Sequence, residues 1–329
     1  MEREMTHAIE TTAWRGEPPW HSLGYNVKDG VVNIKNAGCD WTVSKRKMFF
    51  EGKPGDTKMY PSTTDFALVR DSDEYHLSTV GLTWKEVQNK QAFEFFERFT
   101  KEGHMTIETA GSLWNGRYVW VLARIGKDFS IGKTDEIRPY ILLASPHVHG
   151  KAMLMQYTAV RVVCWNTLCM AIGSSLKGDG TGFRVPHSMA FDDITKAKAE
   201  EALGLAVKQT AEFKEVVTLL SKKKMTPKAT EDYFCDVLQF DPKKADKKKD
   251  GEAQEPRMLP KFRAALTHAP GQELPSALGT AWGSFNAVTA VIDHETGRGD
   301  RSVALKNIWL GHQAGVKRRA LDLAVELAK

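Results

Sequence analysis

The stretch HMTIETAGSLWNGRYVWVLARIG, residues 104–126, constrains this chain more than any other. Two alternating runs flank Asn115-Gly116, the dipeptide that a two-residue type I′ turn prefers, because both of its central residues take positive φ. A β-hairpin is predicted here. Tyr118, Trp120 and Leu122 share one face of its second strand, and Arg117, Val119, Val121 and Ala123 share the other. Neighbouring segments read as sheet partners. DFALVR (65–70) and YHLSTVG (75–81) are strands joined by the acidic turn Asp71–Glu74, and IRPYILLAS (137–145) and AMLMQYTAVRVVC (152–164) are two more. Between them, VQNKQAFEFFERFTKEG (87–103) spaces Phe93, Phe96 and Phe99 as an amphipathic helix does, with Gly103 where a C-terminal cap belongs. The fold class expected is α+β, with a mainly antiparallel sheet.

This reading divides the chain into five parts. Residues 1–59 form an irregular, aromatic-anchored entry containing WRGEPPWHSLGYNV, and residues 60–188 form the α+β core. Residues 189–240 are a helical extension in which Thr226 caps a helix and Pro227 opens it. Residues 241–256 combine lysine runs with no apolar periodicity and read as a disordered basic linker. Residues 257–329 are helical, and the section from ALGTAWGSFN onward reads as two helices.

Charge and cysteine usage narrow the functional classes. A net charge of +5 over 329 residues permits contact with nucleic acid without demanding it, because basic residues bind phosphate only where they cluster. The four cysteines form no CxxC pair, which suits a reducing cytoplasm. No apolar run approaches the roughly 20 residues that span a bilayer, so a soluble cytoplasmic protein is expected.

The stretch TAVRVVCWNTLCMAIG, residues 158–173, alternates like a strand and then, from Asn166, reads as a helix. Cys164 at such a junction has the position of an activated thiol, but its apolar setting and the lack of an identifiable base favour burial. His147 and His149 with Cys164 and Cys169 lack the paired short spacings of zinc motifs. Gly173 and Gly178 are followed by Asp179-Gly180, so the loop is not a phosphate-binding P-loop. Neither a metal nor a cofactor is expected. The residues suited to nucleic acid are Arg117 and Arg124 on the hairpin, and Arg161, Trp165 and Asn166 at the junction. Lys177, Arg184 and His187 follow in the loop beyond. Asn166, as a helix N-cap, would place the following amides on a phosphate. The structural alternative makes the aromatics core and the arginines rim, with Arg161 bracing an acid such as Glu108.

Four motifs in order, PWHSLG, ETAGSLWNGRYVWVLAR, TAVRVVCWNTLCMA and GTAWGSFNAVTAVIDH, resemble the phage/plasmid-like family of unknown function numbered nine-three-two in the domain-of-unknown-function series. The resemblance covers nearly the whole chain and implies residence on phages, prophages or conjugative plasmids. Where the family often has Arg-His-Thr, this chain has Pro186-His187-Ser188, with Arg184 two residues upstream of the histidine, which weakens the case for His187. In topology the core is similar to single-strand annealing recombinases of the Red-beta superfamily. The resemblances imply a DNA-binding protein of a mobile element that anneals single strands without a cofactor, with single-stranded DNA and further copies of the chain as partners. The alternatives are an enzyme with a Cys164 nucleophile and a protein-binding module that blocks a host defence.

Overall fold

The computed structural model describes residues 12–15, 24–27, 30–55, 57–101, 105–164, 166–169, 183–188, 193–246, 254–296 and 301–329. The fold is α+β with antiparallel sheets and C-terminal helices. In chain order the elements begin β1 (Thr12–Trp14), β2 (Tyr25–Asn26), β3 (Val43–Glu51), β4 (Met59–Arg70), β5 (Tyr75–Gly81) and α1 (Asn89–Lys101). Then come β6 (Met105–Leu113), β7 (Tyr118–Ile125), β8 (Phe129–Ile131), β9 (Asp135–Pro146), β10 (Ala152–Arg161), β11 (Asn166–Cys169) and β12 (Phe183–Pro186). The helices α2 (Asp193–Lys222), α3 (Pro227–Leu238), α4 (Leu259–His268), α5 (Ala281–Ala290), α6 (Arg301–Leu310) and α7 (His312–Ala328) follow, and a π-helical turn, Val291–Glu295, continues α5. They form two compact units of interleaved sequence. One comprises Met1–Ile125, Ile141–Gln156 and Ala171–Leu205; the other comprises Gly126–Tyr140, Tyr157–Met170 and Ala206–Lys329.

In the first unit β3, β4 and β5 make a three-stranded antiparallel sheet. Its buried face gathers Val43, Leu68, Leu77, Val80 and Trp84, with Trp41, Phe66 and Tyr75 packed against them. The acidic segment between β4 and β5 turns as expected, with Glu74 at φ 60°. A larger sheet in the same unit runs in the order β10-β9-β7-β6-β1-β2, and β12 also pairs with β10. The predicted hairpin is β6–β7. Asn115 (φ 55°) and Gly116 (φ 80°) occupy the centre of its turn, closed by the Arg117 amide donating to the Trp114 carbonyl. It departs from the expected form in one respect. Trp114 also has positive φ (55°), so regular pairing stops one step early, at Leu113 opposite Tyr118. The chosen faces of β7 do not divide inside from outside, because both are buried along most of its length.

In the second unit β8 pairs with the start of β9, and the end of β10 pairs with β11. Among the described residues the helix expected from Asn166 does not begin there, and residues 170–173 lie outside them. Residues 166–169 turn back as β11, setting Asn166 opposite Arg161 and Thr167 opposite Val160. The cause is tertiary. The Thr167 amide and hydroxyl both donate to Asp293, and Asn166 donates to the Asn286 carbonyl and the Thr289 hydroxyl, bonds that a helical turn would break. The helix α3 starts as expected: the Thr226 hydroxyl accepts from the Ala229 amide, and Pro227 supplies the fixed φ of a first helical position. Among its described residues the closing section contains three helices, α5, α6 and α7, rather than two. All ten residues of α5 are buried, so it lacks the amphipathic period by which its limits would be read. Within the expected linker, residues 247–253 lie outside the described residues; Lys243 and Lys244 are exposed, and Glu255 accepts two hydrogen bonds from Arg263. Among the described residues no helix is long and apolar enough to cross a membrane.

Candidate nucleic-acid interface

Two turns of the first unit bring together a file of arginines and aromatic rings. The β4–β5 turn makes Arg70 and Tyr75 register partners. The β6–β7 turn presents Trp114, Asn115 and Arg117, and it is tied to the first turn by three hydrogen bonds. Arg70 Nη1 donates to the Asn115 carbonyl at 2.7 Å, Asn115 Nδ2 to the Tyr75 hydroxyl at 3.4 Å, and Arg117 Nε to the Leu77 carbonyl at 2.7 Å. Rings and guanidinium groups then alternate. Arg70 lies 5.4 Å from the Trp41 ring centroid and 4.9 Å from that of Tyr75, and Arg117 lies 5.8 Å from Tyr75 and 4.7 Å from Trp114. Trp114 in turn stacks near Tyr118, with centroids 6.1 Å apart. Each such contact contributes about 0.5–2 kcal/mol, more as water is excluded.

The two arginines have different electrostatic roles. Arg70 is only 2% exposed and grips both carboxylate oxygens of Asp73 at 2.8 Å, which holds the Asp73 carboxyl below its ordinary range. Its charge is neutralised, and it serves as a brace. Arg117 is half-buried, its Nε is committed to Leu77, and among the described residues it has no ion-paired carboxylate. Its guanidinium therefore keeps an uncompensated positive charge between two rings. Trp114 reaches this position through a left-handed backbone conformation that is costly for a bulky residue.

The other expected contact residues are dispersed. Arg124 is half-buried and pairs with Glu108 at 3.4 Å. Arg184 is exposed on β12, whereas His187 is buried, stacked on Trp84 at 4.2 Å with Nδ1 against the Lys85 carbonyl. Trp165 and Lys177 lie outside the described residues. Arg161 belongs to the second unit and presents no surface. It makes paired hydrogen bonds to Asp135 at 2.7 and 2.9 Å and a third, to the Gly271 carbonyl, at 2.9 Å. Asp135 also accepts from Ser276 and from the indole of Trp282. The arginine thus braces a buried acid, and that acid is Asp135 rather than Glu108. Asn166 is equally buried, and as a strand residue it caps no helix.

Cys164, beside them, is buried, and burial pushes its thiol up to about 11. His294 places Nε2 on the Cys164 carbonyl and the Asn166 side chain, not on the sulfur. A thiolate nucleophile needs the opposite environment.

Trp41, Arg70 and Tyr75 were not among the candidates. The signal available was an arginine ending a strand immediately before an acidic turn. Its meaning depends on a register between strands that local sequence does not state.

The family model described as a domain of unknown function, DUF932, matches residues 76–317 of the chain. No curated protein and no solved structure matches it.

Proposed function

We propose that the chain, which belongs to the DUF932 family, binds single-stranded DNA at the arginine–aromatic file, and that as a cytoplasmic protein of a phage or plasmid it anneals complementary strands. The observation that carries this reading is Arg117, unpaired with any acid among the described residues and set between Tyr75 and Trp114. Sequence-tolerant single-strand binders need a cation for the phosphate beside a ring on which a base stacks. Trp114 and Arg117 offer both within one turn, and the strained backbone of Trp114 favours a role beyond packing. Annealing asks for no cofactor: the backbone is held by charge, and the base edges remain free to pair. The experiment is fluorescence anisotropy of a labelled oligothymidine across sodium chloride concentrations. Binding should weaken steeply with salt, and Arg117→Ala should flatten the log–log slope by about one unit. A folded variant with wild-type affinity and slope would overturn the proposal.

A further inference from the structure

Beyond the file of rings, β3 and β4 continue as a two-stranded arm. β5 supplies its last partner, Gly81, to Asp65, and the residues farther out on β4 pair only with β3. The register breaks between Lys47 and Phe49, where the segment 62–65 is folded over the Ser62 hydroxyl, and a break of this kind re-aims a ribbon. Past the break, Phe49 lies opposite Pro61, Phe50 opposite Tyr60 and Glu51 opposite Met59.

From Lys47 to Glu51 and from Met59 to Asp65, every side chain except the half-buried Met48 and Ser62 is exposed. Phe49 is 53% exposed, Phe50 57%, Met59 50% and Tyr60 36%. A cluster of this size left in water marks a contact surface. Its chemistry favours nucleic acid. The Phe50 and Tyr60 rings lie 6.0 Å apart, inclined by 26°, and Lys58 Nζ sits 5.2 Å from the Tyr60 centroid. The sequence from 45 to 60 carries five basic residues (Lys45, Arg46, Lys47, Lys53 and Lys58) against two acids, Glu51 and Asp56. Lys45 is tied to the Leu82 and Trp84 carbonyls, and Arg46 to Asp71 and Glu74. Lys47 and Lys53 make no ion pair among the described residues, and both are exposed.

We infer that this arm is a second contact for the same DNA strand, stacking bases on Phe50 and Tyr60 while Lys47 and Lys53 take phosphates. The inference rests on the single-strand binding proposed above. Phe50 stands seven residues along β3 from Val43, the register partner of Arg70, or roughly 23 Å at ordinary strand rise. One strand several nucleotides long would pass from the file of rings to the arm, within the span that single-strand binding folds occupy.

The test uses the full chain and a 20-nucleotide oligothymidine carrying 5-iodouracil. Irradiation should join the probe to Phe50 or Tyr60, as read by peptide mass spectrometry. The double variant Phe50→Ala, Tyr60→Ala should bind about tenfold more weakly. Its salt slope should be unchanged, since no cation is removed. Both positions are exposed, so far-UV circular dichroism should confirm an intact fold. Wild-type affinity in the double variant, with no adduct on the arm, overturns the arm and leaves the Arg117 reading in place. An oligomer that dissociates in sedimentation while DNA affinity holds assigns the arm to contacts between copies of the chain, and also overturns it. A wild-type chain that binds no single strand removes both proposals.

Discussion

Arg161 Nε donates to Asp135 Oδ1 at 2.7 Å, and neither side chain has any surface open to solvent. Removing one partner of a buried pair strands the other in a medium that cannot solvate it. Arg161→Ala should therefore cost about 3–5 kcal/mol in urea unfolding, while any residual folded protein keeps its DNA affinity. Replacing both partners, as Arg161→Met with Asp135→Leu, should recover only part of the loss, because the Trp282 indole and the Ser276 hydroxyl lose their acceptor and the Gly271 carbonyl its donor. A single variant of wild-type stability would show that the pair contributes nothing.

Cys164 should behave as packing. Cys164→Ala should cost about 1–2 kcal/mol through a small cavity and leave DNA binding intact. Because burial raises the thiol to about 11, a disulfide reagent should modify it slowly at pH 8 and at the ordinary rate once the chain is unfolded. Fast labelling of the folded protein would instead revive an enzymatic role.

Trp114 separates strain from function. Glycine tolerates its φ of 55° without cost but brings no ring. Trp114→Gly should stay within about 1 kcal/mol of wild-type stability, yet weaken single-stranded DNA binding by about fivefold or more. Equal losses of stability and affinity would make the ring a structural element only.

His147 predicts an acid-side slope. Burial, with the nearby His187 and Arg70 adding to it, pushes its imidazole from 6.5 down to about 3. Above pH 6.5 the histidine is neutral in both states and stability is unaffected by it. As the pH falls below 6.5 the unfolded chain takes up a proton that the folded chain refuses, so stability is lost towards pH 3, by at most about 1.4 kcal/mol per unit. His147→Gln should lose less than wild type over that window when urea midpoints are compared from pH 8 to 4. Parallel curves would contradict the assignment.

What could be read from the sequence was local. Asn115-Gly116, the acidic turn at 71–74 and Thr226-Pro227 each fix a few dihedral angles through their own chemistry, and the structure has a turn or helix start at each. The misreading at Asn166 shows the opposite case. Leu168, Met170 and Ala171 carry a helical period, but Asp293 and Asn286, more than a hundred residues away, hold Thr167 and Asn166 extended. The candidate site divides in the same way. Arg117 and its ring neighbour Trp114 stand in one turn, while Arg70 and Tyr75 join them only through sheet register, and Phe50 and Tyr60 stand out only through their exposure.

The Asp135 carboxylate has a further consequence, in time. Its indole partner, Trp282, emerges from the ribosome 147 residues later. At about 5–20 residues per second, synthesis leaves that carboxylate without its indole partner for roughly 7–30 s. The nascent chain must keep this acid hydrated for that interval, so its enclosure in the second unit waits until Trp282 has been made.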